Sequence, residues 1–181
     1  MTSALHSREQ LERAQSIAKA LAVPCENTQL LPEVSNLELI RTAVLCLVNR
    51  ERAQNGLAPL STNAALQAAA EGHSEEMIAA DYFEHISPSG LTPVERIRMA
   101  GYFPSPELGY VIGENIAWGT LSLSTPQAIV AAWMASPGHR ANILESRYVE
   151  TGIAAVPQVP ASLSGGSSGA TYAQEFGVLV P

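Results

Sequence analysis

The order of helical and strand-like segments most constrains how this 181-residue chain can fold. Segments with helical spacing occur throughout the chain up to Leu144, with one strand-like run among them at Gly113–Gly119. Two further runs rich in β-formers, Gly152–Val156 and Thr171–Val180, come near the end. Pro, Ser and Gly separate these last two runs, which is typical of a long-looped antiparallel hairpin. Because helices and strands do not alternate as βαβ units, the sequence predicts an α+β fold.

Threonine and proline mark the starts of two helices. Thr92 and Pro93 predict a cap and a first helical position, and Gly101 predicts the end of that helix. Thr125 and Pro126 repeat the pattern at the start of the next helix. These residues favour helix ends because they satisfy or remove backbone N–H groups that have no partner inside the helix.

The first 36 residues differ in character from the rest of the chain. Residues 7–22 predict a short amphipathic helix, and residues 24–36 predict a linker containing two prolines. Ser35 and Glu38 are spaced as a capping box for the first long helix. We therefore predict an N-terminal helix and linker over residues 1–36 and a single domain over residues 37–181.

Charge and hydropathy exclude several classes of protein. Lys and Arg number 10 against 17 Asp and Glu, giving a net charge of −7. No basic face is available for general phosphate attraction, so no nucleic-acid partner is expected. No apolar run approaches the roughly 18–20 residues of a membrane span, so no transmembrane segment is expected. Charges scattered through Met1–Val23 also disagree with an export signal, which has an uninterrupted apolar stretch.

Two cysteines, Cys25 and Cys46, leave two alternatives open. Neither belongs to a CxxC pair, so zinc-ribbon and thioredoxin-like sites lack support. The residues are equally consistent with two buried free thiols and with one disulfide between the linker and the first long helix.

Three polar residues are candidates for chemistry. His85 lies in a predicted loop, Glu114 follows a glycine at the start of a strand, and His139 lies at a helix break. Two histidines and one carboxylate suit a divalent metal with an open position, or acid–base work near neutral pH. The same residues could equally tie loops together by hydrogen bonds. His73, on an alanine-rich helix, is expected to be a half-buried residue making one hydrogen bond.

Four motifs, taken together and in this order, resemble the CAP superfamily of cysteine-rich secretory, antigen five and pathogenesis-related proteins. They are Phe83-Glu84-His85-Ile86-Ser87-Pro88, Gly113-Glu114-Asn115-Ile116-Ala117-Trp118-Gly119, the run from Trp133 to Leu144 that contains Ser-Pro-Gly-His-Arg, and Tyr172-Ala173-Gln174-Glu175-Phe176-Gly177. The short Ser-Pro-Gly-His-Arg form is similar to the bacterial extracellular branch. The resemblance covers about residues 37–181.

The resemblance implies an α-β-α sandwich with a three-stranded antiparallel sheet between helices. It also implies an extracellular protein, which favours the Cys25–Cys46 disulfide, and we expect a monomer. The family's cleft carries two histidines and two acids, and some members bind a divalent cation through the histidines. His85, Glu114 and His139 match three of these positions, while Ser136 stands where the second acid normally lies. Glu150 is a candidate to replace that acid.

Three functions follow as hypotheses. The first is a secreted protein whose cleft binds Zn²⁺ or another divalent cation through His85 and His139, with Glu114 orienting a ligand. The second is a hydrolase acting on peptide or cell-wall material, with Glu114 as general base and the histidine pair stabilising charge. The third is a non-catalytic module that binds a lipid, a sterol or a protein partner. The ligand in the cleft is therefore expected to be a lipid, a peptide or a cell-wall component.

Overall fold

A computed structural model describes the backbone of residues 2–180 and the side chains of residues 7–180. Its helices are α1 (Thr2–Ala22), α2 (Leu37–Gln54), α3 (Ala64–Ala79), α4 (Pro93–Met99), α5 (Pro126–Ala135), α6 (Pro137–Ile143) and α7 (Ala161–Ser164). Its strands are β1 (Ser61–Thr62), β2 (Gly109–Thr120), β3 (Glu150–Val156) and β4 (Gly169–Val180). Helices precede most of the sheet along the chain, so the predicted α+β class is confirmed.

The sheet has the strand order β1-β3-β4-β2. Strand β4 pairs antiparallel with both β3 and β2, as the predicted hairpin requires. The expected number of three strands is wrong, because β1 adds a fourth, two-residue strand that runs parallel to β3. The backbone N–H of Ser61 donates to the Val149 carbonyl at 3.0 Å as the chain passes from α2 to α3. Two residues are too few to show an alternating pattern in the sequence.

The two faces of the sheet carry different cores. The face that we call the apolar face is covered by α2, α5 and α6, and it includes Ile153, Tyr172 and Phe176. The face that we call the polar face is covered by α3 and α4, and it includes Ala173 and the carboxylate of Glu114. Helices on both sides of one sheet confirm the α-β-α sandwich.

The N-terminal segment contacts the domain. Helix α1 packs against α2, and Cys25 and Cys46 form a disulfide with their Cα atoms 5.6 Å apart. The Arg13 guanidinium donates to the Gly56 carbonyl at 3.0 Å. Helix α1 and the segment around Cys25 therefore contact the rest of the fold, while the division at residue 36 stays a prediction. Among residues 2–180, no helix is both long enough and apolar enough to span a membrane.

Local helix signals are mostly confirmed. The Thr92 hydroxyl and the Glu95 carboxylate form a capping box at the start of α4, and Thr125 caps α5. The capping box predicted at Ser35 and Glu38 is wrong, because a short 3-10 turn over Val34–Asn36 precedes α2 and carries its own box. The turn occupies the predicted cap position, so the N-cap is Asn36 and α2 begins at Leu37, one residue later than a cap at Ser35 would place it.

Candidate functional site

The candidate site lies at β2, the outer strand of the sheet. Helices α3 and α4 cover the polar face there, and the loop between them carries His85. Helix α6 lies against the same strand: the Asn142 amide donates to the Glu114 carbonyl at 3.0 Å, and the Asn115 amide donates to the His139 carbonyl at 3.1 Å. These two hydrogen bonds from side-chain amides hold α6, which carries His139, beside β2, which carries Glu114.

Glu114 is the centre of a buried hydrogen-bond network. One oxygen lies 2.6 Å from His85 Nδ1, and the other lies 2.7 Å from His73 Nδ1 and 2.9 Å from Arg96 Nη2. Burial opposes ionisation of this side chain, which is only 2% exposed. The hydrogen bonds from His73 and His85 outweigh burial and hold the pKa of Glu114 well below its usual range. Glu114 is therefore a fixed carboxylate at neutral pH.

His85 is the accessible member of the network. Its side chain is 49% exposed, whereas the Glu114 side chain behind it is enclosed. The hydrogen bond to Glu114 raises the pKa of His85, and partial burial opposes that effect. When the neutral ring donates from Nδ1 to Glu114, its lone pair lies on Nε2. That nitrogen is the atom that can bind a cation.

His139 lies on α6 and is partly buried. Burial lowers its pKa, and the nearby charge of His85 lowers it further. His139 is therefore favoured in the neutral form that ligates metals.

The sequence did not identify His73 and Arg96 as members of the site. His73 is fully buried and engages both ring nitrogens, with Nε2 lying 3.1 Å from the Glu84 carbonyl. Arg96 is 7% exposed and donates to the His85 carbonyl at 2.7 Å as well as to Glu114. The expectation of a half-buried His73 with one hydrogen bond is wrong, because helical spacing gives no information about its partner across the sheet.

Glu175 is the second carboxylate of the site, in place of the residue expected from the sequence. It lies directly opposite Glu114 in the β2–β4 register and is fully buried. Burial and the charge of Glu114 raise the pKa of Glu175 well above its usual value. Glu150 is engaged elsewhere, because its oxygens accept from Tyr102 at 2.8 Å and from Asn63 at 2.9 Å.

A buried group of three residues could hold a metal ion. One ligand atom from each of His73, Glu114 and Glu175 lies within 4.8 Å of the others. Both nitrogens of His73 are already hydrogen-bonded, however, and the Arg96 guanidinium contacts Glu114. An ion at this position would displace those bonds beside a fixed positive charge, so the donor set fits a cation poorly.

A separate groove runs between α3 and α4. Its volume is about 350 Å³, and its walls are mostly small or apolar residues, including Ala69, Gly72, Leu91 and Met99. His73 and Arg96 also line it, so the groove reaches the residues that hold Glu114.

Comparison with known proteins agrees with this architecture. The family model described as "CAP: Cysteine-rich secretory protein family" matches residues 45–161. The uncharacterized protein YkwD of Bacillus subtilis is 33% identical over 162 residues, which cover 89% of this chain and 55% of that protein. The chain therefore spans about half the length of this relative.

Two solved structures share the fold. An extracellular protein of Bacillus anthracis containing an SCP domain matches with a TM-score of 0.56 and 26% identity, over 80% of this chain and 40% of that one. An outer surface protein of Borrelia burgdorferi matches with a TM-score of 0.57 and 18% identity, over 72% of this chain and 85% of that one. The family model covers more than half of the chain and includes His85, Glu114 and His139. The chain therefore belongs to the CAP family of cysteine-rich secretory proteins.

Proposed function

We propose that this chain is an extracellular CAP-domain protein whose cleft binds a divalent cation, zinc before others, through His85 and His139. The observation that carries the proposal is the 2.6 Å hydrogen bond between His85 Nδ1 and the Glu114 carboxylate. A carboxylate that accepts from one ring nitrogen is the usual partner of a histidine whose other nitrogen binds a metal, because it fixes the tautomer and the ring orientation. Imidazole ligands suit zinc among the common divalent ions.

The two histidines supply only part of a coordination shell. Tetrahedral zinc with two protein ligands keeps open positions for water or for a ligand in the cleft. The function that we propose is therefore cation-dependent binding in the cleft. Export fits the disulfide between Cys25 and Cys46, since disulfides persist mainly in oxidising compartments. The Bacillus anthracis relative is itself described as extracellular.

Zinc titration calorimetry tests the proposal. We expect His85→Ala and His139→Ala each to weaken zinc binding at least tenfold relative to the wild type, because each removes a ligand. Glu114→Gln should weaken binding about 10-fold or more, which is the usual cost of losing the partner of a ligand histidine. His6→Ala removes a histidine outside the three site segments and is the matched control. Equal, millimolar-weak binding by the wild type and both ligand variants would contradict the proposal.

The other two hypotheses have less support. A hydrolase would need Glu114 to reach a water as general base, but three N–H groups already occupy its oxygens and the side chain is enclosed. A module that binds an apolar ligand would use the groove between α3 and α4, whose apolar walls favour it as the second candidate.

A further inference from the structure

Glu175 is a fully buried acid without a cation of its own. Neither of its carboxyl oxygens has a hydrogen-bond partner in normal geometry among the described residues. Across the sheet on β3, its register partner is Gly152, which contributes no side chain. The backbone of Leu66 and Gln67 at the start of α3 fills that space, so the carboxyl is closed off from solvent.

The charged and titratable groups around Glu175 come from β2, α3 and α4 and from the segment before β3. Glu114 faces it from β2, His73 from α3 and Arg96 from α4, and Tyr148 lies close enough for its titration to respond to Glu175. The His73 ring and the Arg96 guanidinium are both hydrogen-bonded to Glu114, and no hydrogen bond from either of them reaches Glu175. A second carboxylate here would be a buried charge beside a like charge, which is strongly unfavourable.

We infer that Glu175 is a neutral carboxylic acid at neutral pH whose hydroxyl hydrogen is directed at Glu114, either directly or through one bridging water. The two side chains then carry one negative charge between them, as is usual for carboxyls that share a site. The proton stays between the carboxyl groups of Glu114 and Glu175, so no covalent bond to any other group forms or breaks. Glu175 acts as a positioning residue, since it holds Glu114 without touching His85.

This arrangement has a consequence for the cleft, which rests on the proposed function. A second negative charge beside Glu114 would stabilise the protonated form of His85, and a proton on Nε2 competes with a metal. A neutral Glu175 limits that competition. The sequence alone gives no sign of this role, because Glu175 occurs 61 residues after Glu114 and only the β2–β4 register brings them together.

Infrared spectra of the intact, metal-free protein test the inference directly when the spectrum of a variant is subtracted from that of the wild type. A protonated carboxyl has a carbonyl stretching band that a carboxylate lacks. We expect this band in the wild type at pH 7, and we expect Glu175→Gln to remove it. Glu150→Gln is the matched control, because Glu150 lies nearby but has Tyr102 and Asn63 as partners, so this variant should retain the band. A wild type without the band, or a band that survives Glu175→Gln, would overturn the inference.

Stability against pH provides a second readout. A carboxyl whose pKa is raised by folding contributes stability below its unfolded pKa of about 4.5, and that contribution is lost as pH rises toward the folded pKa. Relative to the wild type, Glu175→Gln should therefore have a urea midpoint that rises progressively as pH increases above 4.5. A midpoint difference that stays constant or falls with pH would contradict a neutral Glu175.

Zinc titration separates this inference from the proposed function. Glu175→Gln keeps a neutral hydrogen-bond donor at this position, so its zinc affinity should lie within about threefold of the wild type, a change of less than 1.4 kcal/mol. If the infrared band is present but the wild type binds no zinc, the metal proposal fails and the inference stands. If zinc binds through the histidines but the band is absent, the inference fails and the metal proposal stands.

Discussion

The two faces of the sheet use the same strands for different purposes. The apolar face buries large side chains, such as Trp133 and Tyr172, under three helices. Small residues line the contact between the polar face and α3, with Ala70 on the helix and Ala154 and Ala173 on the strands, and charged groups are enclosed in the remaining space. Small side chains bring the helix close to the sheet, and the enclosed charges must then satisfy one another. Large apolar side chains therefore dominate one face, and the candidate chemistry lies on the other.

Two buried arginines show the same contrast. Arg52 lies beside the apolar core, and its guanidinium donates only to backbone carbonyls, those of Ala58, Ile143, Glu145 and Tyr148. Arg96, on the polar face, donates to a backbone carbonyl of the loop and also to the Glu114 carboxylate. Arg52 stabilises loops through hydrogen bonds to backbone carbonyls. Arg96 does the same and also places a positive charge beside the Glu114 carboxylate.

The largest expected effect comes from deleting core volume on each face. Ile40 on α2 and Met77 on α3 are both completely buried. Truncating either to alanine should lower the free energy of unfolding by about 2–5 kcal/mol, because each leaves a cavity. Met77 lies one helical turn from His73, so Met77→Ala should also weaken zinc binding several-fold, whereas Ile40→Ala should leave it unchanged. Urea unfolding and zinc titration of the folded variants measure both effects.

If Ile40→Ala weakened zinc binding as much as Met77→Ala, the separation between the two faces would be wrong. The site would then depend on the packing of the whole sandwich rather than on α3 and α4.

The arginine pair provides a test of intermediate size. Arg52→Met and Arg96→Met should each cost about 3 kcal/mol at neutral pH, because each strands buried acceptors. Only the Arg96→Met cost should shrink in acid. Glu114 has a lowered pKa, so its ionised form contributes stability above about pH 4.5, and that contribution is lost as pH falls through the folded pKa. Urea unfolding from pH 3 to 8 measures the difference, with Arg52→Met as the control.

Equal pH dependence for the two arginine variants would show that Arg96 is another structural fastener. Its contact with Glu114 would then be incidental to the ionisation of the site.

The smallest expected effect comes from the helix caps, Thr92 on the polar face and Thr125 on the apolar face. Each threonine hydroxyl accepts from a backbone N–H in the first turn of its helix, so each change to alanine should cost about 1 kcal/mol. Thr92→Ala should speed amide hydrogen exchange in α4 about fivefold, since 1 kcal/mol corresponds to that factor. Thr125→Ala should leave α4 unchanged. Faster exchange in α4 from both variants would mean that the faces are coupled through the sheet.

Much of the fold and part of the site were predictable from local sequence. Thr92, Pro93 and Gly101 correctly marked α4, because caps and helix-ending glycines act within a few residues of their own position. The motifs identified Glu114 and His85, and in the structure His85 Nδ1 lies 2.6 Å from a carboxylate oxygen of Glu114. The metal role of His85 and His139 stays a prediction.

Other members of the network could not be found from local sequence. His73 lies at a helical spacing at which a buried alanine would fit equally well. Arg96 has the sequence position of an ordinary surface charge near the end of a short helix. Glu175 lies inside the motif Tyr172–Gly177, but its importance depends on the strand register that places it opposite Glu114. A one-residue shift of that register would move Glu175 to the other face of the sheet.

By itself, the sequence determined the order of the long helices and strands, the caps of α4 and α5 and the family of the protein, because these features depend on short-range spacing and on local motifs. Only the tertiary structure decided which charges meet. Strand pairing and the close approach of α3 bring His73, Arg96 and Glu175 around Glu114 from three separate elements. The ionisation of a buried group depends on its partners and on its distance from water, and neither is encoded near the group in the chain.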